Sequence, residues 1–243
     1  MTEGELLTRL RANPIFADAT ADSVRVLLAE SRVHSYAADE LVLEEGQDAE
    51  QVWLLLDGAV RVYHASDTGE EVLIKLFRAP AVFGEAESFA GIPFVENVRA
   101  TEASTALVVP LDTLVAYLEQ KPRAAIRLLA DVAQRLAISA YDEKSLAFHP
   151  ITMRLANHLL DLADLAPPGT VPLIRASQEQ LATAIGATRR SVAKDMGAWQ
   201  NEGILVRDSD GYRVLDLPAL RRHADGARLA LTHRVSARTF FRQ

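Results

Sequence analysis

The spacing of apolar positions divides the chain into stretches of different period. Residues 1–30 read as short helices: "ATADSVRVLLAES" places Val24, Leu27 and Leu28 on one face, with Thr20 or Asp22 available as N-cap. From about Ser31 the period becomes that of strands. "QVWLLLDGAVRVYHA" reads as two strand runs joined at Asp57-Gly58 in a hairpin, with Val60, Val62 and His64 alternating with Arg61 and Tyr63. "SDTGEE" reads as a second turn, "VLIKLF" as a strand, and "VRATEASTALVVPL" as two more. Short strands with turn signals across residues 35–112 predict a small antiparallel barrel or sandwich.

After Pro110 the pattern turns helical. "LDTLVAYLEQKP" is one helix, stopped near Pro122, and Arg123 to Phe148 is a long one free of Gly and Pro. Two adjacent stripes run along it at 3-4 spacing: Leu129, Val132, Leu136, Ser139, Glu143, Leu146, and Ile126, Ala130, Ala133, Ala137, Ala140. One can pack on the barrel. The Ala-rich one allows a second helix to approach closely, as in a coiled-coil dimer, unless both stripes are internal core. Pro150 breaks the helix, which makes Phe148–Pro150 a hinge. "ITMRLANHLLDLADL" is a further amphipathic helix with Leu155, Leu159, Leu162 and Leu165 on its apolar side, and "APPGTVP" is a loop.

The segment "SQEQLATAIGATRRSVAKDMGAWQNEGILVRDSDGYRVL" has a specific order. Ser177 with Gln180 forms a capping box that opens a helix. Gly186 supplies a tight turn and Thr188 caps a second helix, whose buried face is Val192, Met196 and Trp199. Gly203 ends that helix, and a two-stranded hairpin turns at Asp210-Gly211. Helix, glycine turn, helix and hairpin make a winged helix-turn-helix. The exposed start of the second helix carries Arg189, Arg190 and Lys194, where free N–H groups and the helix dipole favour phosphate and arginine can fork onto guanine. Ser177, Gln178, Thr188 and Ser191 stand beside them as candidate DNA contacts.

Composition fits a folded globular chain of 243 residues, 49% hydrophobic and 24% charged. It has no apolar run long enough for a transmembrane helix and no signal-peptide start, so no membrane partner is expected. The absence of cysteine excludes disulfides, thiolate metal sites and iron–sulfur clusters, and fits a cytoplasmic location. The net charge of −7 looks wrong for a nucleic-acid binder until it is divided. Residues 1–149 carry 13 Lys and Arg against 24 Asp and Glu, and residues 150–243 carry 13 against 9. The basic half is the winged-helix half.

On these residues the chain resembles the catabolite-activator / fumarate–nitrate regulator (Crp/Fnr) family of bacterial transcription factors over roughly residues 14–220. "GATRRSVAK" carries the resemblance on the DNA side; Gly46, "DGAVRV", "FGE" and "VRA" carry it on the sensor side. It implies an α+β chain: an antiparallel β-roll resembling a cyclic-nucleotide-binding domain over 1–122, a dimerisation helix and hinge over 123–149, a winged helix-turn-helix over 150–226, and a C-terminal extension over 227–243. It also implies a homodimer joined along 123–147, with Ile126, Leu129, Ala133, Leu136, Ala137 and Ala140 in the interface. The partners it implies are a near-palindromic double-stranded DNA operator and RNA polymerase.

By position, Arg189 matches the family's guanine-reading arginine and Lys194 its second arginine. Arg190 stands where the family usually has glutamate, which accepts from cytosine; arginine has no acceptor. An operator that departs from the family's common half-site at that position is expected. Members that bind cyclic AMP follow Gly-Glu with Pro-Arg-Ser, the Arg-Ser pair holding the cyclic phosphate. Here Gly84, Glu85 and Pro93 remain, but Phe94-Val95 replaces Arg-Ser with Glu96 beside it. On the long helix Ser139 matches one expected hydroxyl and Ala140 replaces its neighbour. A phosphate buried without a counter-charge is costly, so cyclic AMP is disfavoured and no cofactor is assigned. The effector pocket bounded by these residues then holds an apolar or cationic effector, is filled by its own side chains, or is inert. Haem is a further option, since His34, His64 and His149 are present, though no pairing among them is readable.

Two other function classes compete with a transcription regulator. An enzyme lacks support: the chain carries no cysteine, no Gly-rich phosphate loop and no His-x-x-x-His, so no catalytic or metal residues are named. A protein-interaction module would use the winged helix on another protein. Residues 227–243, basic and ending near Phe240-Phe241, read as a partly ordered tail or a segment that packs on the dimer or reaches DNA or polymerase.

Overall fold

Thr20, rather than Asp22, caps the second helix: its hydroxyl accepts from the Ser23 N–H while the Ser23 hydroxyl accepts from the Thr20 N–H. That helix, α2 (Ala21–Leu28), follows α1 (Glu3–Ala12) and a 3₁₀ turn at Pro14–Phe16. Such pairings are read from a computed structural model, which describes residues 2–65, 71–164, 166 and 169–228. The chain divides into two units, Met1–Val132 and Ala133–Gln243.

In the first unit the strands form two antiparallel four-stranded sheets. One has the order β1 (Arg32–Tyr36), β8 (Ser104–Pro110), β3 (Gln51–Asp57), β6 (Ala81–Phe83). The other has the order β2 (Leu41–Leu43), β7 (Asn97–Ala100), β4 (Ala59–Ala65), β5 (Glu71–Arg78). This is the predicted sandwich, a β-roll, with one correction. β3 and β4 are not a hairpin: β3 pairs with β6 and β8, and β4 with β5 and β7.

The reason lies in the unbroken apolar run of β3. Val52, Leu54 and Leu56 face a cluster with Leu10, Phe16, Leu27 and Tyr117, while Trp53 and Leu55 face the space between the sheets. A strand covered on both sides needs no alternation. At Gly58 the chain crosses to the other sheet instead of folding back. Its φ is 85°, its carbonyl accepts from the Ala79 N–H, and a side chain there would collide with Ser104. In β4 the alternation holds only in part: Val60 and Val62 are buried, but so is Tyr63, and His64 is exposed. The Tyr63 hydroxyl accepts from Arg99 Nη2 at 3.2 Å, which satisfies the polar tip of the buried ring.

After α3 (Glu85–Ala90) and α4 (Leu111–Gln120) comes the long helix, α5 (Pro122–Phe148), and the division between units falls inside it. Ala124, Leu128 and Val132 pack on the first unit's core. Of the two stripes read along this helix, only Val132 packs on that core. Leu129 and Leu136, which the resemblance puts in a dimer interface, are 67% and 70% exposed, and Ile126 is 52% exposed. They merge with exposed Ala130, Ala133, Ala137 and Ala140 into one apolar face, because the barrel takes the next row around the helix.

The second unit continues with α6 (Ile151–Ala163), β9 (Leu173–Ile174), α7 (Gln178–Ala184), α8 (Arg189–Asn201), β10 (Leu205–Asp208), β11 (Gly211–Val214) and α9 (Leu217–His223). Its core gathers Leu155, Leu159, Leu181, Val192, Met196, Trp199 and Leu220. The hairpin carries a third strand just past the predicted loop: Leu173 and Ile174 pair with Arg213 and Tyr212. Leu165, most of the "SDTGEE" turn and the extension after Arg228, including Phe240-Phe241, lie outside the described residues.

Candidate nucleic-acid interface

The two helices of the motif are set by their caps. Ser177 Oγ accepts from the Gln180 N–H at 3.1 Å, and Gln180 Oε1 accepts from the Ser177 N–H at 2.8 Å. Gly186, at φ 60°, turns the chain, and the ideal Cβ position there lies 3.2 Å from Leu146 Cδ2, so the turn admits little else. Thr188 Oγ1 accepts from the Ser191 N–H at 3.2 Å and lies 3.0 Å from Ser191 Oγ. These hydroxyls are part of the helix start, so Thr188 and Ser191 hold the frame on which the cations stand.

Val192, Met196 and Trp199 bury the inner face of α8. That leaves Arg189, Arg190 and Lys194 exposed at its opening turns, where unpaired N–H groups add positive potential. The cleft beside α8 measures about 600 Å³ and is lined by Ser177, Gln178 and Arg189 together with Arg175 and Arg207, and its wall also carries the carboxylates of Glu179, Asp208 and Asp210. Three predicted residues are thus brought to one groove. Arg190, Ser191 and Lys194 lie on α8 outside its lining.

Arg175 and Arg207 were missed by sequence reasoning. Arg175 follows β9, and Arg207 lies on β10 with its guanidinium 6.0 Å from the Tyr212 ring centroid. The register of the hairpin about Asp210-Gly211 was the available signal for Arg207, since it places that residue opposite Tyr212. Arg213, by contrast, is committed to Asp208, and this bond is the first cause holding the Asp208 carboxyl below its usual value.

In the first unit Gly84 and Glu85 open α3, and Glu85 is fully buried. Phe94, 4% exposed, sits edge-on to Trp53 with centroids 5.7 Å apart, and Trp53 stacks on Phe83 at 5.8 Å. Backbone bonds pin the segment: the Gly46 N–H donates to the Phe94 carbonyl and the Phe94 N–H to the Gln47 carbonyl. Val95 is 49% exposed. Ser139 and Ala140 are exposed on the part of α5 that belongs to the second unit.

Within the first unit His34 and His64 stand on different sheets, His34 on β1 and His64 on β4. His149 follows α5 in the second unit, 3.1 Å from Ser145 Oγ and 3.4 Å from Asp225 Oδ2. Among the described residues no group of three or more His, Cys, Asp and Glu is placed to hold a metal ion.

Residues 33–121 match the family model described as the cyclic nucleotide-binding domain, and residues 153–223 match the Crp-like helix-turn-helix domain. The chain belongs to the Crp/Fnr family of transcription factors. The CRP-like cAMP-activated global transcriptional regulator of Mycobacterium tuberculosis is 22% identical over 214 residues, 86% of this chain and 96% of that one. The global nitrogen regulator of Synechococcus elongatus is 27% identical over 196 residues, covering 78% and 88%. Among solved structures, FixK2 from Bradyrhizobium japonicum superposes with a TM-score of 0.66 at 20% identity, covering 81% of this chain and 98% of that one. The Crp/Fnr chain is therefore a transcription regulator with a helix-turn-helix DNA-binding domain, and not an enzyme.

Proposed function

We propose that this regulator acts as a homodimer on a near-palindromic operator, reading one half-site with each α8. The observation that carries this is the exposed cation group Arg189, Arg190 and Lys194 at the capped start of α8, beside a groove that adds Arg175 and Arg207. The helix start favours phosphate, arginine can read guanine, and the wing side of the groove follows the backbone. The dimer reading rests on the exposed face of Ile126, Leu129, Ala133, Leu136, Ala137 and Ala140, which water disfavours and a second copy of α5 would cover. Arg190 leads to an operator that departs from the family's usual half-site.

The sensor domain works without cyclic AMP. Phe94 occupies the position of the phosphate-binding arginine and spends its surface on Trp53, and Glu85 is out of reach of solvent. The pocket is filled by its own side chains. The four-way domain division at 122, 149 and 226, a contact with RNA polymerase, and action in the cytoplasm complete this reading; no helix among the described residues is long and apolar enough to cross a membrane.

The test is a fluorescence-anisotropy titration of the protein's own promoter DNA with and without cyclic AMP, repeated for Arg189→Ala and Lys194→Ala. Nucleotide-independent binding is expected, with Arg189→Ala losing about 1–3 kcal/mol and Lys194→Ala lowering the salt slope by about one unit. A large enhancement by cyclic AMP overturns the filled pocket. Unchanged affinity in both variants overturns the interface.

A further inference from the structure

The last turns of α5 contribute almost nothing to the second unit's core. Of residues 141–149 only Ser145 is buried, and Leu146 and Phe148 are 52% and 77% exposed. Apart from Leu146 beside the Gly186 turn, apolar packing does little to set the angle at which this helix end leaves the winged helix. Polar contacts stand in its place, and they converge on the residues just after α9.

Arg228 is 5% exposed and forks twice. Its Nε and Nη2 donate to the two carboxylate oxygens of Asp142 on α5 at 2.6 and 3.0 Å. Its Nη1 and Nη2 donate to those of Asp161 on α6 at 2.8 and 2.7 Å. Three residues earlier, Asp225 accepts from the Tyr141 hydroxyl on α5, and its backbone N–H donates to Asn157 Oδ1 on α6 at 3.0 Å. On α6, Arg154 Nη1 donates to the Leu146 carbonyl at 2.8 Å.

We infer that Arg228 is a positioning residue for DNA recognition: through Asp142 and Asp161 it fixes the end of α5 against α6, and so sets the direction in which α8 is presented. A guanidinium suits this task because its donors are planar and rigid, so two carboxylates on two helices are held at a defined relative orientation. Arg228 lies outside the hydrophobic cluster of the winged helix, which is built from Leu155 to Leu220. Its loss thus acts on orientation more than on the folding of that cluster.

This rests on the proposed two-half-site binding, and the experiment separates the two. Affinity is measured by anisotropy on DNA holding one half-site and on DNA holding both, for the wild type, Arg228→Ala, Arg228→Lys and Asp142→Asn. For the wild type the second half-site is expected to add a factor on the order of 10²–10⁴. Arg228→Ala should lose most of that factor while keeping its single-half-site affinity, since each α8 is intact but the pair no longer matches both grooves. Lysine, a point donor, should restore part of it, and Asp142→Asn, which leaves Asp161 to pair the guanidinium, should give an intermediate loss even where Arg228→Ala does not fold. Equal loss on both DNAs, or no loss on either, overturns the positioning role alone. A wild type that gains nothing from the second half-site overturns the two-site reading beneath it.

Discussion

Phe94 shows how one side chain redirects a site. At this position an aromatic ring packs on Trp53 and joins a cluster with Phe83, Val98 and Tyr36. Phe94→Ala should therefore destabilise the first unit by about 3–5 kcal/mol, as for other buried phenylalanines, read as a lowered melting temperature. It should not create cyclic AMP binding, because no cation replaces the ring. His158 marks a different kind of dependence. Desolvation, first of all, holds its imidazole below the ordinary value; Asp161 pulls upward, Arg228 further downward, and Asp142 upward again. With the folded value below the unfolded one, the unfolded chain binds the proton more readily. Stability is then complete above the usual value near 6.5 and declines as pH falls below it. Thermal melts between pH 8 and 5 should show this decline, and His158→Gln should flatten it.

The helix α5 carries the element-scale consequence of burial. Its row Ala124, Leu128, Val132 faces the barrel, so the row bearing Leu129 and Leu136 is left to cover something else. Leu136→Glu should yield a monomer by sedimentation velocity with an unchanged far-ultraviolet spectrum, because the substitution adds charge to an exposed position and touches no core. Elements with local signals were legible in the sequence. The capping box at Ser177–Gln180, the Thr188 cap and the Val192, Met196, Trp199 face stand as the spacing predicts. Elements decided by distant partners were not. Asp57-Gly58 has the local chemistry of a hairpin, but the two-sided burial of β3 commits it to β6 and β8. β9 is two residues long and exists only because Tyr212 and Arg213 offer an edge. The same limit hid Arg175 and Arg207, whose place beside Arg189 follows from that edge and not from any spacing. Arg228 was read only as part of a basic tail, since its two carboxylates lie 86 and 67 positions away.

At the scale of the whole molecule, the chain joins an acidic sensor half to a basic reading half, and the net charge of −7 conceals the division. The two tryptophans are likewise divided: Trp53 lies among the sensor aromatics and Trp199 at the base of the reading helix, each nearly sealed from solvent. Each half thus reports its own unfolding by native fluorescence. With Trp53 or Trp199 replaced by phenylalanine in turn, a single chain yields two separate optical melting curves with no attached dye.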